Sequence, residues 1–243
     1  MKSATLPLQH LPWDSEFLGF PVARLLAQDL APLQLAAVAT EARQAGYHLV
    51  YVIDNPTNTI HAEAIVSAGA WLADRKVTFL MDLPAPATVT AQTPSIESTT
   101  KLTTQLESLA WQSGTFSRFR LDPHFSPKVF QNLYSEWLRN SLTGAIARRV
   151  LVWYDAEGVE RGLLTLGKKN GRADIGLLAV DEVVRGQQVG QQLVASAAAQ
   201  AYEWGYREIQ VVTQRDNQLA CRFYKKCGFR LAHEEHIYHL WLG

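Results

Sequence analysis

The chain has 243 residues, of which 47% are hydrophobic, and its 23 Lys plus Arg balance 23 Asp plus Glu. That length suits one large or two small domains, with ample apolar material for a core. A net charge of zero supplies no field to draw the chain to nucleic acid or an anionic membrane, so neither is expected as a partner.

The opening residues, "MKSATLPLQHLPWDSEF", contain no apolar run of the kind a signal peptide needs. Nowhere do about 18 apolar residues follow one another, as a membrane span would require. Cys221 and Cys227, six apart, match neither a disulfide framework nor metal-ligand spacing. A cytoplasmic protein without a metal is therefore expected.

"FPVARLL" and "YHLVYVID" predict strands, with a helix between them from Pro32 to Ala45. "TNTIHAEAIVSAGA" predicts a helix ending near Gly69, and "RKVTFLMDL" a strand. "DLPAPATVTAQTPS", Asp82 to Ser95, is rich in Pro, Ala and Thr, and each proline disfavours helix at its own position and the one before. It reads as a linker over 84–95 between a first domain, 1–83, and a second, 96–243. After it, Leu102, Leu106 and Leu109 recur at helical spacing, and a second helix starts near Pro127. "RRVLVWYD", "VERGLLTLGKK" and "ADIGLLAV" then predict three antiparallel strands, with "AEG" and "NGR" as turns. A helix from Gly190 to Trp204, strand "EIQVVT", helix "NQLACRFYKKC" and a returning strand "EEHIYHLWL" complete the second domain. The order predicts an α/β or α+β sheet domain.

The two halves also resemble each other. At a constant, gapless offset, Gly46 meets Gly205, Tyr47 meets Tyr206, Val52 meets Val211 and Asn58 meets Asn217. Gly69 then meets Gly228, Leu72 meets Leu231, Ala73 meets Ala232 and Leu83 meets Leu242. Chance is the competing explanation, but a gapless register predicts a duplicated strand–helix–strand unit. Tyr224 faces Ile65 across the copies, so if one copy is catalytic it is the second.

"LLAVDEVVRGQQVGQQLVASAAAQAY", Leu177 to Tyr202, runs from a buried strand through a glycine-bracketed turn into a helix. Such a turn leaves backbone N–H groups unpaired at the positive end of the helix dipole, a good place for phosphate. It is neither a Walker loop, lacking Gly-Lys-Ser/Thr, nor a dinucleotide fingerprint, its glycine spacing being different.

These residues resemble a known family. "VVRGQQVGQQL" is similar to the acetyl-CoA pyrophosphate loop of the GNAT N-acetyltransferases, Gln/Arg-x-x-Gly-x-Gly/Ala. Arg185 and Gly190 fill the outer positions, and Gln188 stands where the middle glycine usually is. "IGLLAV" resembles the family's central strand, and "NQLACRFYKKCGF" its Asn-x-x-Ala-x-x-x-Tyr-x-x-x-Gly-Phe segment. Two further stretches, "LPWDSEFLGFPVARL" and "GTFSRFRLDPHF", resemble a narrower group, the bacterial dTDP-fucosamine acetyltransferases. Those enzymes acetylate a dTDP-linked 4-amino-4,6-dideoxygalactose and carry a degenerate GNAT-like N-terminal half-domain before the catalytic one.

The resemblance implies acetyl-CoA as cosubstrate. Leu178 and Val180 would pair with its pantetheine arm. Arg185, Gly186, Gln188, Val189, Gly190 and Gln191 would hold its pyrophosphate, and Asn217 and Ala220 would complete that site. It implies Tyr224 as general acid, since a phenol stays protonated at neutral pH and its pKa is close to that of an alkyl thiol; a core tyrosine covering the sheet is the alternative. Backbone N–H groups near Leu178 and Val180 are the oxyanion-donor candidates. For the base the resemblance points to Asp74, which otherwise reads as a solvated acid beside Arg75 and Lys76. His124, His233 and His236 are further candidates.

For the acceptor, Arg118 and Arg120, beside Ser117, would share one face if "SRFRLD" is extended, and an arginine suits a diphosphate. A solvated or salt-bridged pair is equally open. Trp13, Asp14, Phe17 and Gly19 would line the same cleft, unless Trp13 and Phe17 only staple the N-terminus. The expectation is a GNAT enzyme, monomer or homodimer, transferring acetyl directly to the amine of a nucleotide-linked 4-amino-4,6-dideoxy sugar. The alternatives are another small amine or a protein N-terminus as acceptor, or a non-catalytic acyl-CoA-binding module.

Overall fold

The computed structural model describes residues 8–27, 30–57, 59–83 and 95–243. Asn58 of the repeat and residues 84–94 of the Pro-rich stretch lie outside them. The chain forms two compact units, Met1–Val77 with His233–Gly243, and Thr78–Ala232. The division falls before the Pro-rich stretch, and the chain's last eleven residues return to the first unit, because two long strands pass from one unit into the other.

The first unit contains β1 (Gln9–His10), α1 (Pro12–Leu18), β2 (Val22–Leu26), α2 (Pro32–Gln44), β3 (Leu49–Asp54) and α3 (Thr59–Ser67). It also holds the start of β4 (Trp71–Asp82) and the end of β10 (Arg230–Trp241). Its strand order is β1-β2-β3-β10-β4. Val50 and Val52 on β3, Tyr238 and Leu240 on β10, and Leu35, Val38 and Ile65 on the helices form one buried core.

The second unit contains β5 (Ile96–Ser98), α4 (Thr104–Ser113), α5 (Arg118–Leu121), α6 (Pro127–Leu142), β6 (Ala147–Tyr154), β7 (Glu160–Lys169) and β8 (Arg172–Val180). α7 (Val189–Glu203), β9 (Glu208–Gln214) and α8 (Gln218–Lys226) follow. Its strand order is β4-β9-β8-β7-β6-β5. β6, β7 and β8 are antiparallel, and β8 is parallel to β9, as the chain order predicts. α6 opens with Pro127 and buries Phe130, Leu133, Tyr134, Leu138 and Leu142, the i, i+3, i+4, i+8 and i+12 positions of one helical stripe. Leu102, expected in α4, instead precedes it and is exposed.

The duplication is visible in the elements. At the offset of 159 that separates Lys76 from Glu235, α3 falls on α8 and β4 on β10, end to end. Gly46 and Gly205 take φ of 80° and 90°, and Gly69 and Gly228 take 93° and 94°. Left-handed values such as these are inexpensive for glycine alone. The final strand corrects the expectation that it closes the second domain. β10 runs antiparallel beside β3, from His236 opposite Asp54 to Trp241 opposite Leu49, and Leu242 N–H donates to His48 O at 2.9 Å. In the second unit that place is taken by β4, and Leu83 N–H donates to Arg207 O at 2.8 Å. These two bonds join equivalent residues of the two copies, so each copy lends the other its last strand.

Candidate active site

β8 and β9 begin as neighbours and then part. Their pairing covers Ala173–Ile209, Asp174–Gln210 and Ile175–Val211, so β8 has no β9 partner from Gly176 onward. A bulge against β7, between Leu164 and Leu166, bends the strand there. Thr165 Oγ1 fills the bulge by accepting from Leu177 N–H at 2.8 Å. A Cβ on Gly176 would stand 2.8 Å from that oxygen, so the bend needs glycine at this position.

The hydrogen-bond parity shows which backbone groups the opening exposes. Asp181 N–H donates to Arg161 O at 2.7 Å, so Asp181 and, two residues back, Ala179 direct their backbone groups at β7. Alternation then turns those of Leu178 and Val180 to the open side. The Val180 carbonyl accepts from Arg185 Nε at 3.1 Å, while Arg185 Nη2 reaches Gln112 Oε1 at 3.4 Å. That side chain links the end of β8 to the end of α4.

The turn into α7 supplies further donors. Asp181 caps a 3-10 turn, Glu182–Val184, then Gly186 takes φ of 85° and Gln188 φ of 63°. Gln188 thus adopts the left-handed conformation that the family's glycine would take freely, at a cost of about 1 kcal/mol. The first bond within α7 runs from Gln192 N–H to Gln188 O. The N–H groups of Val189, Gly190 and Gln191 therefore have no acceptor in their own helix. A Cβ on Gly190 would stand 3.1 Å from the Phe223 ring, so α7 and α8 approach closely there.

Tyr224 lies on α8, 6% exposed, with Phe79, Phe223 and Phe229 ring centroids at 6.0, 5.3 and 5.7 Å. Burial pushes its phenol above the ordinary value near 10, and Cys227 and Cys221 add to the rise. The group holds its proton throughout the neutral range. Asn217 caps α8, its Oδ1 accepting from Ala220 N–H at 3.1 Å. Both cysteines are half-buried thiols outside any disulfide.

The acceptor-side residues are arranged differently from expectation. "SRFRLD" is not extended: Ser117 caps the short helix α5, where residues two apart point about 200° from each other. Arg118 lies 4.8 Å from the Phe119 ring and Arg120 5.6 Å from that of Phe130. The two do not share a face. The same segment holds a pair that the spacing does not announce: Asp122, 1% exposed, accepts from the His124 N–H at 2.9 Å and meets its Nδ1 at 2.8 Å. "DPH" is the signal that would have suggested it, since aspartate commonly bonds the backbone two residues on.

In the first unit, Trp13 and Phe17 stack at 5.2 Å on α1, as an i, i+4 pair does. Asp74 is 8% exposed, which corrects the reading of a solvated acid. Burial lowers the His236 pKa, and His233 Nε2 lies 3.7 Å from Glu235. The counterpart of the β8–β9 opening is closed: β2 and β3 pair over all five residues, Val22–Leu49 to Leu26–Ile53. Ile65, which stands where Tyr224 does, is a core residue. Among the described residues, no group of three or more His, Cys, Asp or Glu is placed to hold a metal, and no helix is long and apolar enough to cross a membrane.

A parting pair of parallel strands followed by a donor-rich helix start is the arrangement that the resemblance to the GNAT acetyltransferases implies. The chain belongs to the GNAT acetyltransferase family, whose model matches residues 104–229. It is 30% identical over 135 residues to the spore coat polysaccharide biosynthesis protein SpsD of Bacillus subtilis (strain 168), covering 56% of this chain and 46% of that protein. It is 27% identical over 222 residues to the dTDP-fucosamine acetyltransferase of Escherichia coli O6:H1, covering 91% and 92%. The chain thus spans about half the length of the first relative and nearly all of the second. A tandem GNAT protein from the clavulanic acid biosynthesis pathway superposes with a TM-score of 0.56 at 17% identity, covering 93% of this chain and 76% of that one. That likeness shows the fold.

Proposed function

We propose that the protein acetylates the amine of a dTDP-linked 4-amino-4,6-dideoxy sugar, with acetyl-CoA as donor. The observation that carries the donor side is the opening beyond Ile175–Val211, which turns the backbone of Leu178 and the N–H of Val180 to the open side. These groups and the α7 N-terminus fit a pantetheine arm and a pyrophosphate: strand-like amides for the one, converging N–H donors for the other. Acetyl-CoA, when bound, supplies an activated acyl group.

The chain's own residues do the rest. Arg185, with the N–H groups of Val189, Gly190 and Gln191, holds the pyrophosphate. Tyr224, kept protonated by burial, gives its proton to the departing sulfur. N–H groups near Leu178 and Val180 stabilise charge on the acyl oxygen. Asp74 is our assignment for the acceptor's proton, with the Asp122–His124 pair as its rival. The first unit is assigned as the degenerate half and the second, which holds Tyr224 and the Arg185 loop, as the catalytic one.

The acceptor side is supported by the 27% likeness, over nearly the whole chain, to an enzyme named for dTDP-fucosamine. Ser117, Arg118 and Arg120, with Trp13 and Phe17, are assigned to it. Titration calorimetry tests both sides. CoA and dTDP should each bind, and Arg118→Ala with Arg120→Ala should abolish dTDP binding alone. CoA binding without dTDP binding would sink the nucleotide-sugar reading and turn attention to other amines.

A further inference from the structure

The loop that the proposed coenzyme reading relies on is weakly held by its own bonds. Arg185 N–H to Glu182 O and Gln187 N–H to Val184 O both measure 3.3 Å. It also contains two left-handed residues, Gly186 and Gln188. Arg185 ties the loop to Val180 O and Gln112, and Asp181 holds it at its root.

Asp181 is 9% exposed. Its Oδ1 accepts from Val183 N–H at 3.2 Å and so starts the 3-10 turn. Its Oδ2 accepts from Gln105 Nε2 on α4 at 3.0 Å and from Arg161 Nη1 on β7 at 3.1 Å. Its backbone is tied as well: its N–H donates to Arg161 O at 2.7 Å, and its carbonyl accepts from Val184 N–H at 3.1 Å. Arg161 is itself held from behind, through Nε, by Asp155 Oδ2 at 2.8 Å. A single carboxylate therefore fastens the last residue before the loop to a strand, a helix and the turn that leads to the donors. A buried charge is costly unless paired and bonded, and here every bond converges on the loop's root.

We infer that Asp181 is a positioning residue for coenzyme binding: it touches no coenzyme atom, and sets where the loop places its N–H groups. The inference rests on the coenzyme reading above. Asp181→Asn keeps an acceptor for Val183 but sets an NH₂ group against the donors of Arg161 and Gln105. Asp155→Asn weakens the same arginine from the far side, in the β6–β7 turn, without reaching the loop.

The test is calorimetric titration with CoA, with melting temperatures in parallel. Both variants should melt lower. Asp181→Asn should weaken CoA about ten-fold, the scale of one lost charge-assisted bond, with kcat at saturating acetyl-CoA unchanged. Asp155→Asn should leave CoA affinity unchanged. A lower melting temperature with unchanged CoA affinity in Asp181→Asn would overturn the inference, as would equal weakening by Asp155→Asn. If Asp181→Asn does not fold, Gln105→Ala removes one donor to the same carboxylate; it should weaken CoA by about three-fold, and unchanged affinity would overturn the inference. A wild-type protein that does not bind CoA would overturn this inference and the coenzyme reading together.

Discussion

Lys76 and Glu235 are the same position in the two copies of the duplicated unit, and they bond to each other at 2.7 Å across 159 residues of chain. Burial works to raise the Glu235 pKa, but the Lys76 bond, with help from His233, holds it below the ordinary glutamate value. A folded pKa below the unfolded one means the pair stabilises above the ordinary glutamate range and stops doing so on acidification. Both side chains keep about a quarter of their exposure, so the effect is at most about 1 kcal/mol. Lys76→Met should lower Tm at pH 7 by about 2–4 °C and have little effect at pH 3. Equal losses at both pH values would contradict this.

Ending the chain at Ala232 removes the part of β10 that closes the first unit. Tyr238 and Leu240 leave the core, each worth about 1.5–3 kcal/mol of burial, and β3 becomes an apolar edge. Limited proteolysis should then cut within β2 and β3 while 95–232 resists. Uniform resistance across the chain would show that the exchanged strand is dispensable.

Tyr224→Phe should lower kcat about 100-fold with CoA affinity unchanged, as expected for a donor that acts only in the transition state. Because burial raises the phenol's pKa, the wild-type kcat should show no descending alkaline limb below about pH 10. Unchanged turnover in the Phe variant would remove Tyr224 from the mechanism.

Thr165→Val keeps shape but deprives Leu177 N–H of its acceptor. A buried N–H without a partner costs about 1–3 kcal/mol. The variant should melt lower and bind CoA less tightly, since the bulge that swings β8 from β9 loses its filler. Calorimetry with unchanged affinity would show that the opening does not depend on this hydroxyl.

Much of the second unit was legible because its signals are local. Strand alternation in β6 to β8, the Pro127 helix start and the glycine turns are written in neighbouring residues. The strand exchange was not legible: β4 and β10 have the same pattern, and nothing local says which β-sheet edge each joins. α5 was not legible because Arg118 and Arg120 are compatible with strand or helix, and Ser117 capping decides the matter. The family motifs point to Tyr224 and the Arg185 loop, whereas the Asp181 ties to Gln105 and Arg161 depend on packing between distant segments.

The most direct measurement is thiol release from acetyl-CoA with dTDP-4-amino-4,6-dideoxygalactose as acceptor, confirmed by mass spectrometry of the sugar. The proposed function requires saturable turnover and a product heavier by one acetyl group on the amine. Absence of turnover with this sugar, beside turnover with an amine that carries no nucleotide, would contradict it.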